Sequence, residues 1–187
     1  LHAKSALWGG RELRGFYAEV GIHGEDISFL TGNPEGSENH VSVWGGATLT
    51  DDSLSVRVDS AMIQLQDEYV ANQGPISLSH TRDAGFVIHQ LHLAGPSGEL
   101  EAAPQAAGKA LDICVNEFRL QPWAFLVGMD DRLEGKLSGG VSIGGEVEDW
   151  TTSAVFEVAD SRIDSFKADA IYCEISYHGD RAQGKIG

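Results

Sequence analysis

The chain has 187 residues, with 28 acidic side chains against 13 basic ones and a formal net charge of −15. That surplus repels phosphate backbones and anionic head groups, which argues against a nucleic-acid partner and against direct adsorption to an anionic bilayer surface. An apolar share of 42% is too high for a disordered chain, and 23 glycines beside 5 prolines suit a β protein with tight turns and closely approaching backbones.

The elements follow in chain order. Residues 15–23 alternate, with Phe16, Ala18, Val20 and Ile22 on one side and Tyr17, Glu19 and His23 on the other. Gly24-Glu25-Asp26 turns the chain, Ile27-Ser28-Phe29 opens a second strand, and residues 31–36 form a loop. Val41-Ser42-Val43 starts a strand, Asp51-Asp52 is a turn, and Leu54 to Val58 is a strand with Ser55 and Arg57 outward. Short strands are predicted near 61–66, 69–71 and 75–80, then a hairpin over 85–103 about the turn Gly95-Pro96-Ser97-Gly98. Leu111, Ile113 and Val115 make the next strand. Alternation stops at residues 121–128, where Pro122 suits a first helical position and Gly128 a stop; one short helix or helical turn packed by Trp123 and Phe125-Leu126 is expected there. Alternation resumes from Leu133 to Val147, then through Ala154, Phe156 and Val158, and through Ile171, Cys173, Ile175 and Tyr177. The pattern predicts an all-β fold of antiparallel meanders.

A faint echo recurs at a spacing of 100 residues. Val41-Ser42-Val43 returns as Val141-Ser142-Ile143, Gly45 as Gly145, Leu54, Val56 and Val58 as Ala154, Phe156 and Val158, and Ile63 as Ile163. An even offset keeps each pair on the same side of its sheet. The expectation is one elongated β module over residues 1–187, with repeat units at about 37–80 and 137–180. Leu1 is not a natural start, and the glycine-rich ends suggest cuts through a larger protein, so an anchor or targeting signal would lie outside these residues. No stretch is long and apolar enough to span a bilayer as a helix.

Few residues promise chemistry. Gly140-Val141-Ser142-Ile143-Gly144 matches the GxSxG string of a nucleophile elbow, but it lies inside an unbroken strand pattern with no helix after it. His89 and His92 stand three apart, which on a regular strand puts them on opposite faces, and no HxH or HExxH occurs; no metal or cofactor is expected. Asp51-Asp52, Asp130-Asp131 and Glu146-Val147-Glu148-Asp149 are acidic clusters of the kind found at turns, although Glu146 and Glu148 share a face as a glycosidase pair would. Trp8, Trp44, Trp123 and Trp150 could stack on sugars but have no repeated spacing. Cys114 and Cys173 make no disulfide framework; Cys114 faces away from Ile113 and Val115, Cys173 shares a face with Ile171 and Ile175, and both are expected to be inert and buried. The apolar stripes carry most of the signal. They suit the interior of a closed β-sandwich or the lining of an open groove, and on the pattern alone the sandwich is the simpler reading.

Phe118-Arg119-Leu120-Gln121-Pro122-Trp123, followed by Leu133-Glu134-Gly135-Lys136-Leu137-Ser138-Gly139-Gly140-Val141-Ser142-Ile143-Gly144-Gly145, resembles the AsmA/TamB superfamily. Its members carry a short L-x-P segment, then L-x-G-x-L-S-G-x-V-x-I-x-G, then a new strand pair, as at Ala154 to Val158. Leu91 to Gly95, continuing through Gly98-Glu99-Leu100 to Gly108, is similar to the preceding unit of such repeats. The resemblance covers residues 40–187, most clearly 85–165. The proline that often follows the I-x-G strand is missing after Gly145, and the family's C-terminal segment is absent, which suits an interior piece.

The resemblance implies a β-taco, an elongated sheet curled around an apolar groove. It implies a periplasmic setting in a diderm bacterium, with anchorage in the inner membrane through another part of the protein. It also implies a role in phospholipid transport to the outer membrane or in outer-membrane protein assembly, with a TamA-like β-barrel partner, and no catalytic residues. The expected groove lining against phospholipid acyl chains is Val41, Val43, Leu54, Val56, Val58, Leu91, Leu93, Leu111, Ile113, Val115, Val141, Ile143, Phe156, Val158, Ile171 and Ile175. The alternative is a closed sandwich serving as an adhesion or carbohydrate-binding module.

Overall fold

Alternating apolar and polar residues favour extended backbone, because each strand then presents one apolar side. The computed structural model describes residues 5–8, 11–34, 39–65, 67–82, 85–104, 111–127, 132–146, 149–178 and 181–187. It is all-β, with antiparallel pairing and no α-helix among these residues. The chain divides into two compact units, Leu1–Pro96 and Ser97–Gly187.

The first unit holds a small hairpin, β1 (Ser5–Trp8) with β2 (Arg11–Arg14), and a larger sheet. That sheet contains β3 (Tyr17–His23), β4 (Asp26–Gly32), β5 (Asn39–Leu49), β6 (Ser53–Leu65), β7 (Glu68–Asn72), β8 (Ile76–Thr81) and β9 (Gly85–Gly95). The strand order is β3-β4-β5-β6-β7-β9, and β8 pairs with both β6 and β9. β6 serves two partners: Met62 to Leu65 pair with β7, and Ser53 to Val58 pair with β8. Leu65, Val70 and Ile76 are buried around this fork, at 1%, 4% and 8% exposure. Separate strands near 54–58 and 61–66 were expected from sequence; residues 53–65 form one strand interrupted by a bulge, and residue 66 lies outside the described residues. Trp44 pairs with Ser60 and Gly45 with Val58, so Asp59 and Ser60 oppose Trp44.

The second unit is a simple meander of β10 (Gly98–Pro104), β11 (Leu111–Arg119), β12 (Leu133–Glu146), β13 (Asp149–Ile163), β14 (Phe166–His178) and β15 (Arg181–Ile186), each paired with the next. A bulge on β11 puts Val115 against Gly139 and Phe118 against Leu137. Glu117 takes a φ of 46° there, and its N–H receives help from Ser138 Oγ at 2.9 Å. The short helix expected near 121–128 is instead a 3-10 segment, Gln121–Val127. Trp123 N–H donates to Leu120 O at 3.0 Å, an i to i+3 closure, while Leu120 N–H is held by Gly135 O at 2.9 Å. Pro122 supplies no donor, and so short a link gains too few bonds to propagate an α-helix. Ala124 is buried and the Trp123 ring lies 5.6 Å from that of Phe118.

The 100-residue echo places matching residues on corresponding strands but in different registers. Val41 pairs with Ile63, whereas Val141 pairs with Ala154 and Ile163 pairs with Leu133. The β5–β6 turn lies between Leu49 and Leu54, and the β12–β13 turn between Glu146 and Asp149. A hairpin's register is set by its turn, so these turns displace one hairpin relative to the other.

Two asparagines close gaps in the first unit by the same device. The Asn33 side chain donates to Asn39 O and accepts from Val41 N–H, both at 2.7 Å. The Asn72 side chain accepts from Ala61 N–H at 2.7 Å and donates to Asp59 O at 3.0 Å and Gly74 O at 2.6 Å. Each side-chain amide imitates a peptide group of a neighbouring strand, joining the C=O of one residue to the N–H two residues on. Asn72 does so across the bulge where β7 ends and β8 has yet to begin.

Asn72→Ala leaves that donor and acceptor without their partner and is expected to cost about 1–3 kcal/mol, read as a lower midpoint in chemical denaturation. Gly139 has a φ of 147°, and a Cβ there would meet Val155 O and stand 2.8 Å from Phe156 Cα. Gly139→Ala should therefore destabilise far more than Gly140→Ala, whose nearest neighbour would be Ile113 O at 3.1 Å, in the same assay.

Candidate functional site

Residues paired across an antiparallel ladder share a face, so the registers decide which side chains meet. In the first unit one face carries Val20 and Ile22 of β3, Ile27 and Phe29 of β4, and Val41, Val43 and Ala47 of β5. On β6 it carries Leu54, Val56 and Val58, then Ala61 and Ile63. The bulge at Asp59-Ser60 converts even positions to odd ones and so keeps both halves of β6 apolar on one side. Ile76 and Leu78 of β8 join that face opposite Val58 and Val56. A second bulge, between Leu78 paired with Ile88 and Ser77 paired with Gln90, re-phases β9 and brings Leu91 and Leu93 to the same side; Leu93 pairs with Asn72.

In the second unit the corresponding face carries Leu100 and Ala102; Leu111, Ile113, Val115 and Phe118; and Leu137, Val141 and Ile143. Ala154, Phe156 and Val158 continue it, followed by Ile171, Cys173 and Ile175, then Gly184 and Ile186. No Asp, Glu, Lys or Arg stands among these positions. All the sequence-selected lining residues of each unit thus lie on one face of that unit's sheet.

Their burial has a definite character. None of the sixteen is buried: fifteen are half-buried, and Ile175 is 45% exposed. The inner face of a sandwich is covered by a second sheet about 10 Å away and loses nearly all its accessible area. These side chains keep part of theirs.

The opposite faces are polar. In the first unit Thr48 donates to Asp26 at 3.0 Å, and Ser79 lies 2.7 Å from His89. The β9 bulge also moves His89 from its expected place: it lies on the polar side together with His92, not across the sheet from it. In the second unit Ser142, the centre of the GxSxG string, stays within β12 and donates to Asp112 at 2.6 Å. A strand serine engaged with a carboxylate lacks the exposed turn that a nucleophile elbow requires. Asp51 and Asp52 are exposed in the β5–β6 turn. Asp130, Asp131 and Glu148, and the side chains of Glu146, Trp8 and Trp150, lie outside what the structure describes. Among the described residues no group of three or more His, Cys, Asp or Glu is placed to hold a metal ion, and no helix is long and apolar enough to cross a membrane.

Both cysteines are free. Cys114 is exposed on the polar face rather than buried. Cys173 is half-buried on the apolar face. The ladder Cys114–Gly140–Val155–Glu174 puts β11 and β14 three strand spacings apart, about 14 Å, far beyond the reach of a disulfide. Sequence reasoning missed Asn72 and the exposed setting of Trp44. The first carries no periodic signal, and the second depends on which side of a sheet stays open.

No protein-family model matches the sequence, and no curated protein or solved structure matches the chain.

Mild copper oxidation is expected to yield no intramolecular disulfide, and maleimide should modify Cys114 ahead of Cys173. Mass spectrometry of the labelled peptides reads both; a Cys114–Cys173 crosslink within one chain would contradict the ladder.

Proposed function

We propose that this chain is a non-enzymatic module that shields lipid acyl chains on its apolar β faces, within a periplasm-spanning protein that serves phospholipid transport to the outer membrane or outer-membrane protein assembly. The observation that supports this reading best is the apolar face of the second unit, whose registered rows from Leu111 to Ile175 carry no charged residue and whose large side chains are mostly half-covered. Such a face can still lose apolar area to an alkyl chain, at about 25 cal/mol per Å² removed from water. Its rows run Ile113–Val141–Ala154–Ile175 and Gly139–Phe156–Cys173 across the strands, so contacts of similar chemistry repeat from one strand to the next. A chain lying along these rows meets no charge until Asp169, two residues before Ile171 on the same side of β14. The polar reverse face and the net charge of −15 keep such a module in solution. The periplasmic setting, the inner-membrane anchor and the TamA-like partner rest on the resemblance carried by residues 118–165.

Native mass spectrometry with lipidomics of an organic extract tests the reading. Phospholipid should co-purify at defined stoichiometry, and Val56→Asp and Ile143→Asp should each reduce it, because a carboxylate on the apolar face adds a desolvation penalty to every bound chain. Ser55→Asp, on the polar face, should leave the load unchanged. A protein that is lipid-free as purified and takes up no added phospholipid would sink the proposal.

A further inference from the structure

The polar face of the first unit carries one feature that lipid shielding does not use. Trp44 points to that side and is 49% exposed. Its cross-strand neighbour Leu30 is 36% exposed, and the two form an apolar pair on a face that also carries Met62, opposite Ser42, and the exposed Tyr69. An indole of this size on a sheet surface ordinarily finds cover, since burying it is worth more than burying any aliphatic side chain.

The surroundings of the pair are specific. Along β5 the same face bears Ser42 on one side of Trp44 and Gly46 on the other, and along β4 it bears Gly32 beyond Leu30. Gly46 therefore leaves one flank of the ring bare, whereas Gly32 is buried and a Cβ there would stand 3.3 Å from the hydroxyl of Tyr17, which reaches over it. On the β6 side, Trp44 faces the bulge: its partner is Ser60, and Arg57 and Asp59 pair there through Nε and Oδ1 at 2.6 Å. Asn72 pins that bulge with two hydrogen bonds, accepting from Ala61 N–H and donating to Asp59 O. Bulges re-aim side chains and recur beside binding sites. The result is a flat aromatic surface with hydroxyl, carboxylate and guanidinium groups along one border.

From this arrangement we infer that Trp44 is the stacking platform of a glycan-binding site, taking a neutral β-linked hexopyranose chain. A pyranose ring with equatorial substituents has an apolar face of axial C–H groups, slightly positive, that suits the negative face of an indole. Its edge hydroxyls both donate and accept, as Ser60, Asp59 and Arg57 do. β-1,4 linkage keeps successive rings extended and flat, in keeping with a sheet surface left bare at Gly46 beside the indole. Glu19 pairs with Leu30 on the side away from the bulge, and the chain carries −15 overall, so anionic uronic-acid or sulfated polymers are disfavoured.

Saturation-transfer NMR on the intact chain tests the site, with cellohexaose and chitohexaose as neutral probes and hexagalacturonate as the anionic one. At least one neutral probe should receive saturation at its ring C–H protons, and hexagalacturonate should bind about tenfold more weakly or not at all. Trp44→Thr, a residue suited to strands, should weaken neutral binding about tenfold, while Trp44→Phe, which keeps a ring, should retain most of it. Val56→Asp, on the other face, should leave glycan binding unchanged, which separates this site from the lipid reading. Silence with both neutral probes, unchanged binding in Trp44→Thr, or equal binding of hexagalacturonate would each overturn the assignment.

Discussion

Period-two alternation of side chains is the constraint from which the rest of this structure follows. An antiparallel ladder transmits one residue's facing to every strand beside it, so a single misphased strand would expose an apolar row to water on the polar side. The chain meets this constraint across strands longer than any one alternating run. Asp59-Ser60 on β6, Asn116-Glu117 on β11 and His89 on β9 each insert a residue where the sequence changes parity. The bulges keep the facing of side chains constant where the sequence alone breaks step.

The bulges require local support, and the chain supplies it with polar side chains and with glycine. Asn72 replaces the peptide group that neither β7 nor β8 provides at Asp59–Ala61. Ser138 and the left-handed Glu117 serve the β11 bulge, and Lys136 Nζ stands 3.8 Å from the Glu117 carboxylate. Gly98 lies against the same bulge with a φ of 118°; a Cβ there would come within 2.5 Å of Phe118 Cα. These contacts let two backbones approach closely at a kink, and the kink sets which way the following rows point.

Two faces of opposite character result, and they suit different ligands. On the apolar face of each unit most of the large side chains stay half-covered. The polar face of the first unit is interrupted by Trp44 and Leu30 at a pinned bulge, a rigid feature suited to a ring. The two proposed sites use different side chains on opposite faces. The GxSxG string takes no part in either, because Ser142 is committed to Asp112 within the sheet.

What was legible in the sequence was local. Runs such as Leu54-Val56-Val58 and Val141-Ile143 declare strands and sidedness within a few residues, because facing depends only on the next position but one. The whole sequence-selected set therefore arrived on one face in each unit. Hydrogen-bond register is not local, and everything that depended on it was decided by the tertiary structure. Residues 54–58 and 61–65 became one strand because a bulge and Asn72 joined them; His89 and His92 fell on one side because β9 slipped by a residue. Val41 and Val141, alike in sequence, took different partners because their hairpins turn at different places. Residues 121–127 carry a helix's punctuation, yet Pro122 and the fixed ends at Leu120 and Gly135 limited them to a 3-10 segment. The exposure of Trp44 was likewise undecided by its alternation, which named its side of the sheet but not what would cover it.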